Sequence, residues 1–259
     1  MILTDTHTHL YLDDFDNDRD EVIEKALQKN VHRILLPNID RSTTARLNNL
    51  VSAFPDFCFP MMGLHPTSVN NHFEEELQHV ENELRTGKYY GVGEIGIDLY
   101  WDKTFAEEQK EAFRRQLQWA KHYKLPVSIH MRHAFSETLQ IVKEELTNDL
   151  TGVFHCFTGS EKEAQLLLDT GFKLGIGGIV TFKNSKLADV VAKLPTELLV
   201  LETDAPYLTP VPYRGKRNQS AYLTYIAQKI ADIKQTSVAE IAAITTATAE
   251  ALFFNHLKK

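Results

Sequence analysis

The chain of 259 residues is 43% hydrophobic and 24% charged, ordinary for a globular protein with a substantial core, and its length suits one large α/β domain. A formal net charge of −7 argues against sequence-independent coating of nucleic acid, while leaving room for a local site where cations and a few Arg or Lys meet a phosphate. No apolar run approaches the roughly 18 residues of a membrane span, and Cys58 and Cys156 alone make no disulfide framework, so a reducing cytoplasm is the expectation.

The first stretch, 1–4, is a short apolar run that leads into Asp5-Thr6-His7-Thr8-His9. A signal peptide would carry Lys or Arg and a long apolar stretch here, where this segment carries Asp5 and two histidines. In extended chain, residues two apart project to one side, so His7 and His9 aim at a common point, a ready chelate for a divalent metal. The acidic segment 11–20 reads as a loop, with Asp18 capping a helix to about Lys29 that buries Val22, Ile23, Ala26 and Leu27. A strand over 32–36, closed by Pro37-Asn38, precedes a helix over 42–53. The next strand, 57–63, runs into Leu64-His65-Pro66, and a helix covers 73–84. Strand 89–98 carries Glu94 and is followed by the long amphipathic helix 105–123. Strand 127–130, helix 135–146, strand 152–155 and helix 161–169, closed by Gly171, continue the alternation. Strand 172–176, helix 185–194 and the apolar strand 198–202, ending in Thr203-Asp204, precede helices over 220–233 and 238–254.

Eight strands alternating with helices imply a parallel sheet with crossovers, and strands without polar alternation fit a sheet buried on both faces. No Gly-x-Gly-x-x-Gly follows the first strand, which disfavours a dinucleotide-binding fold, and no Pro/Gly-rich linker divides the chain. The expectation is α/β: a (β/α)8 TIM barrel with an additional C-terminal helix, one domain over 1–259. In such a barrel functional groups gather where strands hand over to the loops that follow them. Those ends carry His7, His9, His65, Glu94, His130, His155 and Asp204, whereas His32, His72, His79, His122 and His256 fall elsewhere and read as surface or satisfied polar residues. So many potential ligands on one rim are hard to explain by packing, because buried imidazoles and carboxylates need partners; they point to a metal site.

The sequence resembles the TatD family of metal-dependent deoxyribonucleases, among the amidohydrolase-like barrels. The resemblance rests on Asp5-Thr6-His7-Thr8-His9, Gly63-Leu64-His65-Pro66, Gly93-Glu94-Ile95-Gly96-Ile97-Asp98, Ile129-His130-Met131-Arg132, His155-Cys156-Phe157-Thr158-Gly159-Ser160, Glu202-Thr203-Asp204-Ala205-Pro206 and Pro212-Tyr213-Arg214-Gly215-Lys216-Arg217-Asn218, in order along nearly the whole chain. It implies His7, His9, Glu94, His130, His155 and Asp204 as metal ligands. His133 stands where relatives usually carry an acidic residue, and the Asn-rich C-terminal signature is reduced to Thr246-Ala247-Thr248-Ala249-Glu250-Ala251-Leu252-Phe253.

Six ligands exceed one tetrahedral zinc but suit two divalent ions bridged by Glu94. The resemblance assigns His7, His9 and Asp204 to one ion and His130 and His155 to the other. Mixed imidazole and carboxylate ligation accepts Zn, Mn, Co or Mg. Such a pair activates water against a phosphodiester, with Glu94 and Asp204 as the catalytic carboxylates and Asp204 taking the proton. The leading expectation is therefore exonucleolytic cleavage of DNA at single-stranded or frayed ends. The alternative is an ester or amide hydrolase on the same barrel, such as an aminoacyl-ester (aminoacyl-tRNA) deacylase, and the third reading is a non-catalytic binding module. For substrate contacts, His65 reads as a phosphate donor or a structural polar residue, and Arg132 as a phosphate contact or the partner of an acid. Arg214, Lys216 and Arg217 read as a phosphate-binding cluster or a solvated turn. Glu202 either orients an imidazole or pairs with a base, Tyr207 and Tyr213 either stack on a nucleobase or pack, and Cys156 is expected to face away from His155 and pack.

Overall fold

The computed structural model describes residues 1–255, so His256 lies outside the described residues. Its strands are β1 (Leu3–Asp5), β2 (Val31–Pro37), β3 (Cys58–Met62), β4 (Gly91–Asp98), β5 (Val127–Arg132), β6 (Gly152–Phe154), β7 (Lys173–Ile176) and β8 (Leu199–Leu201). The helices are α1 (Arg19–Gln28), α2 (Arg41–Ala53), α3 (Phe73–Leu84), α4 (Ala106–Tyr123) and α5 (Phe135–Glu145), then α6 (Glu161–Leu168), α7 (Leu187–Lys193), α8 (Leu223–Lys234) and α9 (Val238–Phe253). The strands lie side by side in chain order and all parallel, because each connection returns through a helix on the outside. This is the TIM barrel expected from the sequence, with α9 as the additional C-terminal helix.

The circle closes between β1 and β8 without a regular ladder. Thr6 N donates to Leu201 O (3.0 Å), Asp204 N to His7 O (2.9 Å) and His9 N to Ala205 O (2.8 Å). The buried Asp5 carboxylate adds bonds from Thr203 N (2.9 Å) and Thr203 Oγ1 (2.6 Å). The seam therefore runs directly beside the strand ends that carry His7, His9 and Asp204.

Alternation along the strands separates two cores. Ile34 and Leu36, Met62, Phe154, and Leu199 and Leu201 face the helices in the large outer core. Their neighbours Leu35, Met61, Val153 and Val200 form a smaller cluster closed by Ala249 and Phe253 of α9. The apolar face of α9 thus covers these strand residues, while the polar groups collect at the strand C-termini. Local signals act as expected at several boundaries: Asp40 and Thr43 form a capping box on α2, Ser160 and Glu163 one on α6, and α4 stops at Lys124 with φ of 55°. Several boundaries shift, α8 beginning at Leu223 rather than 220 among them, and two departures have a visible cause. Asp18 precedes α1 but makes no side-chain cap; its Oδ2 accepts from Arg217 (2.6 Å) instead. The expected helix at Ser185 begins at Leu187, because the Ser185 hydroxyl accepts from Leu187 N (3.1 Å) in a turn.

Candidate metal centre

The ends of β1, β4, β5, β6 and β8 converge on Glu94. This carboxylate is 2% exposed, and each of its oxygens faces a different group of imidazoles. Oε2 lies 3.1 Å from His7 Nε2 and 3.5 Å from His9 Nε2. Oε1 lies 2.8 Å from His130 Nδ1, 3.1 Å from His155 Nε2 and 3.3 Å from His65 Nε2. Asp204 joins the first group, with Oδ1 3.9 Å from His7 Nε2 and 3.7 Å from His9 Nε2. Asp204 holds this position with φ of 56°, a left-handed conformation costly for a residue with a Cβ; Cys156 (48°) and His133 (53°) share it at the ends of β6 and β5. The six side chains implied as ligands by the family resemblance, from both ends of the chain, are thus brought together.

The outward nitrogens are held by the protein, which decides what the inward ones can do. Tyr11 donates its hydroxyl proton to Pro37 O (2.6 Å), so its oxygen can only accept from His9 Nδ1 (2.9 Å). His9 Nδ1 therefore carries the proton and Nε2 presents a lone pair to Glu94 and Asp204. His130 Nε2 donates to Asp98 Oδ2 (2.9 Å), leaving Nδ1 as the inward donor atom. His7 Nδ1 is 3.1 Å from Ser128 Oγ, and His155 Nδ1 is 3.4 Å from Glu202 Oε1, an oxygen that also accepts from Cys156 N. Glu202 fits there because position 175 is glycine: a Cβ on Gly175 would sit 2.2 Å from Glu202 Oε2. His65 differs. Its Nδ1 accepts from Thr67 N (3.1 Å), so in the neutral ring Nε2 holds the hydrogen and points a donor, not a lone pair, at the centre.

Burial opposes charge on all these groups, and their neighbours decide the outcome. Burial and the stacked His155 ring (centroids 3.7 Å apart) hold His7 well below the ordinary histidine range. At His155 burial is outweighed by Glu94 and Glu202, which raise it well above that range. At Glu94 burial is outweighed by His65, His155 and His7, which keep the carboxyl ionised. Burial pushes Asp204 up to about 6. The imidazole nitrogens and carboxylate oxygens that could ligate an ion thus lie 2.8–3.9 Å from one another. Ligand bonds of 2.0–2.2 Å put neighbouring donor atoms about 3.0–3.6 Å apart around one ion. The donor set fits divalent cations: His7, His9 and Glu94 form one group with metal-ligand spacing, and His7, His155 and Asp204 another. His65, Glu94 and His130 make a third by spacing, where the hydrogen on His65 argues for hydrogen bonding rather than ligation.

The remaining sequence-selected residues are distributed around this centre. Arg132 extends from β5 with its guanidinium 4.0 Å from the centroid of the Tyr100 ring. Arg214 lies 4.1 Å over Phe182, and Lys216 donates its backbone N–H to Tyr213 O (3.1 Å). Arg217 is engaged within the protein by Asp18 Oδ2 and the Asp14 carbonyl. Tyr207 is half-exposed with its ring 6.4 Å from His9, whereas Tyr213 stacks on Tyr222 at 4.4 Å. Glu202 faces His155, not a Lys or Arg. Cys156 donates its backbone N–H to Glu202 and lines a cavity of about 350 Å³ that His155 also borders. The sequence reading missed Tyr11, Ser128 and Asp98 as supports of the imidazoles. For two of them a signal existed: Asp98 shares its strand face with Glu94, and Ser128 with His130, each by two-residue periodicity.

The TatD related DNase family matches residues 4–254. The chain belongs to this family. A metal-dependent hydrolase of Bacillus subtilis (strain 168), YabD, is 41% identical over 253 residues, 97% of this chain and 99% of its own. The metal-dependent hydrolase YcfH of Escherichia coli (strain K12) is 36% identical, with 98% of this chain and 96% of its own covered. The crystal structure of YjjV, a TatD homologue from Escherichia coli K12, superimposes with a TM-score of 0.88 at 31% identity over 97% of both chains. The family assignment made from the motifs therefore holds over the length of the barrel. Among the described residues no helix is long and apolar enough to cross a membrane.

Proposed function

We propose that the protein is a metal-dependent phosphodiesterase that removes nucleotides from DNA ends, using two divalent ions (Zn, Mn, Co or Mg), one on each side of Glu94. The observation that carries this reading is the division of the imidazoles between the two oxygens of Glu94. Bound ions there would polarise a water and neutralise charge on both the attacking and leaving oxygens of a phosphodiester.

The chain supplies the rest. His7, His9, Glu94 and Asp204 would hold one side and His130 and His155 the other; outward hydrogen bonds fix the rings of His7, His9 and His130, and His155 Nδ1 lies 3.4 Å from Glu202 Oε1. Asp204, 15% exposed at its side chain, is the carboxylate on the open side and takes the proton from the attacking water. His65 directs its Nε2 hydrogen to a phosphate oxygen. Arg132, Arg214 and Lys216 are the cationic side chains for flanking phosphates, while Arg217, tied to Asp18, fixes the loop that carries them. A reaction centre recessed in a barrel mouth, with Glu94 and His155 side chains only 3–4% exposed, supports a frayed or single-stranded terminus over the middle of a duplex. With two free cysteines and a negative net charge, the cytoplasm is the compartment we assign.

The test is release of nucleotides from end-labelled single-stranded DNA after chelation and metal add-back, run beside an aminoacyl ester. The reading expects the DNA to be shortened from one end, and Asp204→Asn to lose about 10²-fold or more of the rate with its circular dichroism unchanged. Turnover of the ester alone, or equal rates for Asp204→Asn and the parent, refutes it.

A further inference from the structure

The loop after β4 leaves its largest side chains in water. Trp101 is 70% exposed and Tyr100 47%. Their rings meet edge to face at 4.8 Å, and His133 also meets Tyr100 edge to face, at 5.0 Å. The Arg132 guanidinium lies 4.0 Å from the Tyr100 centroid and 5.2 Å from that of Trp101. Among the described residues no carboxylate or carbonyl accepts a hydrogen bond from it. Burying these rings would have stabilised the fold, so neighbouring aromatic faces held in solvent beside an unpaired cation mark a binding surface more readily than a packing one.

Its place in the molecule narrows the occupant. Arg132 follows His130 by two residues on β5, about 6–7 Å along the strand. Asp98 links the two regions: Oδ2 accepts from His130 Nε2 and Oδ1 from Tyr100 N, both at 2.9 Å. His133, which packs on Tyr100, also borders the cavity of about 350 Å³ that reaches His155, a volume at the small-ligand end of binding pockets. The surface therefore begins two residues along β5 from His130 and shares Asp98 with it.

We propose that Tyr100, Trp101 and Arg132 form a stacking platform for the nucleobase next to the bond that is cut. Flat aromatic faces and a guanidinium accept any base through its π-face, so such a platform grips a strand end without reading its sequence. The free N–H groups of Arg132 remain able to meet the adjoining phosphate. The inference rests on the phosphodiesterase reading above and deepens it by naming where the base lies.

The experiment compares parent, Trp101→Ala and Trp101→Phe, all metal-loaded, on a single-stranded oligodeoxynucleotide and on the same oligonucleotide with tetrahydrofuran abasic residues at both ends. Trp101→Ala is expected to raise KM on the normal strand roughly 10-fold to 100-fold, as the loss of one stacked base implies. On the abasic strand it changes KM less than threefold, and Trp101→Phe recovers most of the loss on the normal strand. Indole fluorescence of the parent should be quenched by the normal strand far more than by the abasic one. Equal KM values for parent and Trp101→Ala, or equal losses on both strands, overturn the platform while leaving the phosphodiesterase reading intact. A change from dimer to monomer in light scattering, with KM unmoved, also overturns it, because the rings then serve a second copy of the chain. Failure of the parent to cut either strand overturns both proposals.

Discussion

Replacing Tyr11 by Phe removes one oxygen atom and little else, because the ring is 1% exposed and keeps its packing. That oxygen links His9 Nδ1 to the Pro37 carbonyl, at 2.9 and 2.6 Å. Without it His9 loses the acceptor that sets its tautomer and ring angle, a change that costs about 10- to 100-fold in metal affinity, or roughly 1.4–2.7 kcal/mol. On the two-ion proposal the loss is expected at the ion on the Oε2 side of Glu94, because His130 is oriented independently by Asp98. Two hydrogen bonds at about 1 kcal/mol each also leave the fold, for roughly 4–8 °C in melting temperature. Calorimetric titration of metal-free Tyr11→Phe with Mn²⁺ or Zn²⁺ is therefore expected to show one binding step weakened and one retained. Two unchanged steps, or equal weakening of both, would refute the assignment of His9 and the separation of the two sides.

Three further outcomes follow from the same geometry. Chelation should abolish hydrolysis and lower the melting temperature by roughly 5–10 °C per ion when that ion had been present at 100 times its Kd, with recovery on add-back; differential scanning fluorimetry reads this. Metal uptake should release protons, because Glu94 and Glu202 hold His155 charged in the metal-free protein and an ion must displace that proton. As pH falls below the raised His155 value, apparent affinity should weaken about tenfold per unit for each proton displaced, and calorimetry in buffers of different ionisation enthalpy counts them. Gly175→Ala should drive Glu202 from its place, since the new Cβ would stand 2.2 Å from Oε2. About 1–3 kcal/mol of stability and a measurable share of metal affinity are expected to go with it; thermal unfolding with an unchanged midpoint would show that Glu202 moves freely.

The barrel was legible because its evidence is local. Apolar strands, long amphipathic helices such as α4, and ligand types at strand ends all repeat on the scale of one element. What was hidden depends on distant parts of the chain meeting. Tyr11 sits in a segment that reads as an acidic loop, and nothing in it reveals that its hydroxyl turns back to His9 two residues earlier. Arg217 belongs to the densest basic run, but whether a guanidinium is free depends on Asp18, whose carboxylate caps no helix and reaches it across the fold. Asp98 and Ser128 were within reach of strand periodicity. They were passed over because a short polar side chain on a buried strand looks the same whether it supports an imidazole or a backbone amide.

The seam between β1 and β8 carries a consequence for how the molecule is made. Thr6 and Leu201, whose hydrogen bond helps close it, are 195 positions apart in sequence, so this contact carries a large chain-closure entropy and is expected to form late. His7 and His9 therefore meet Asp204 only after the last strand has docked. An ion bound by all three would act as a rivet across the final joint, and holding the ring shut against local opening would become as much its task as chemistry.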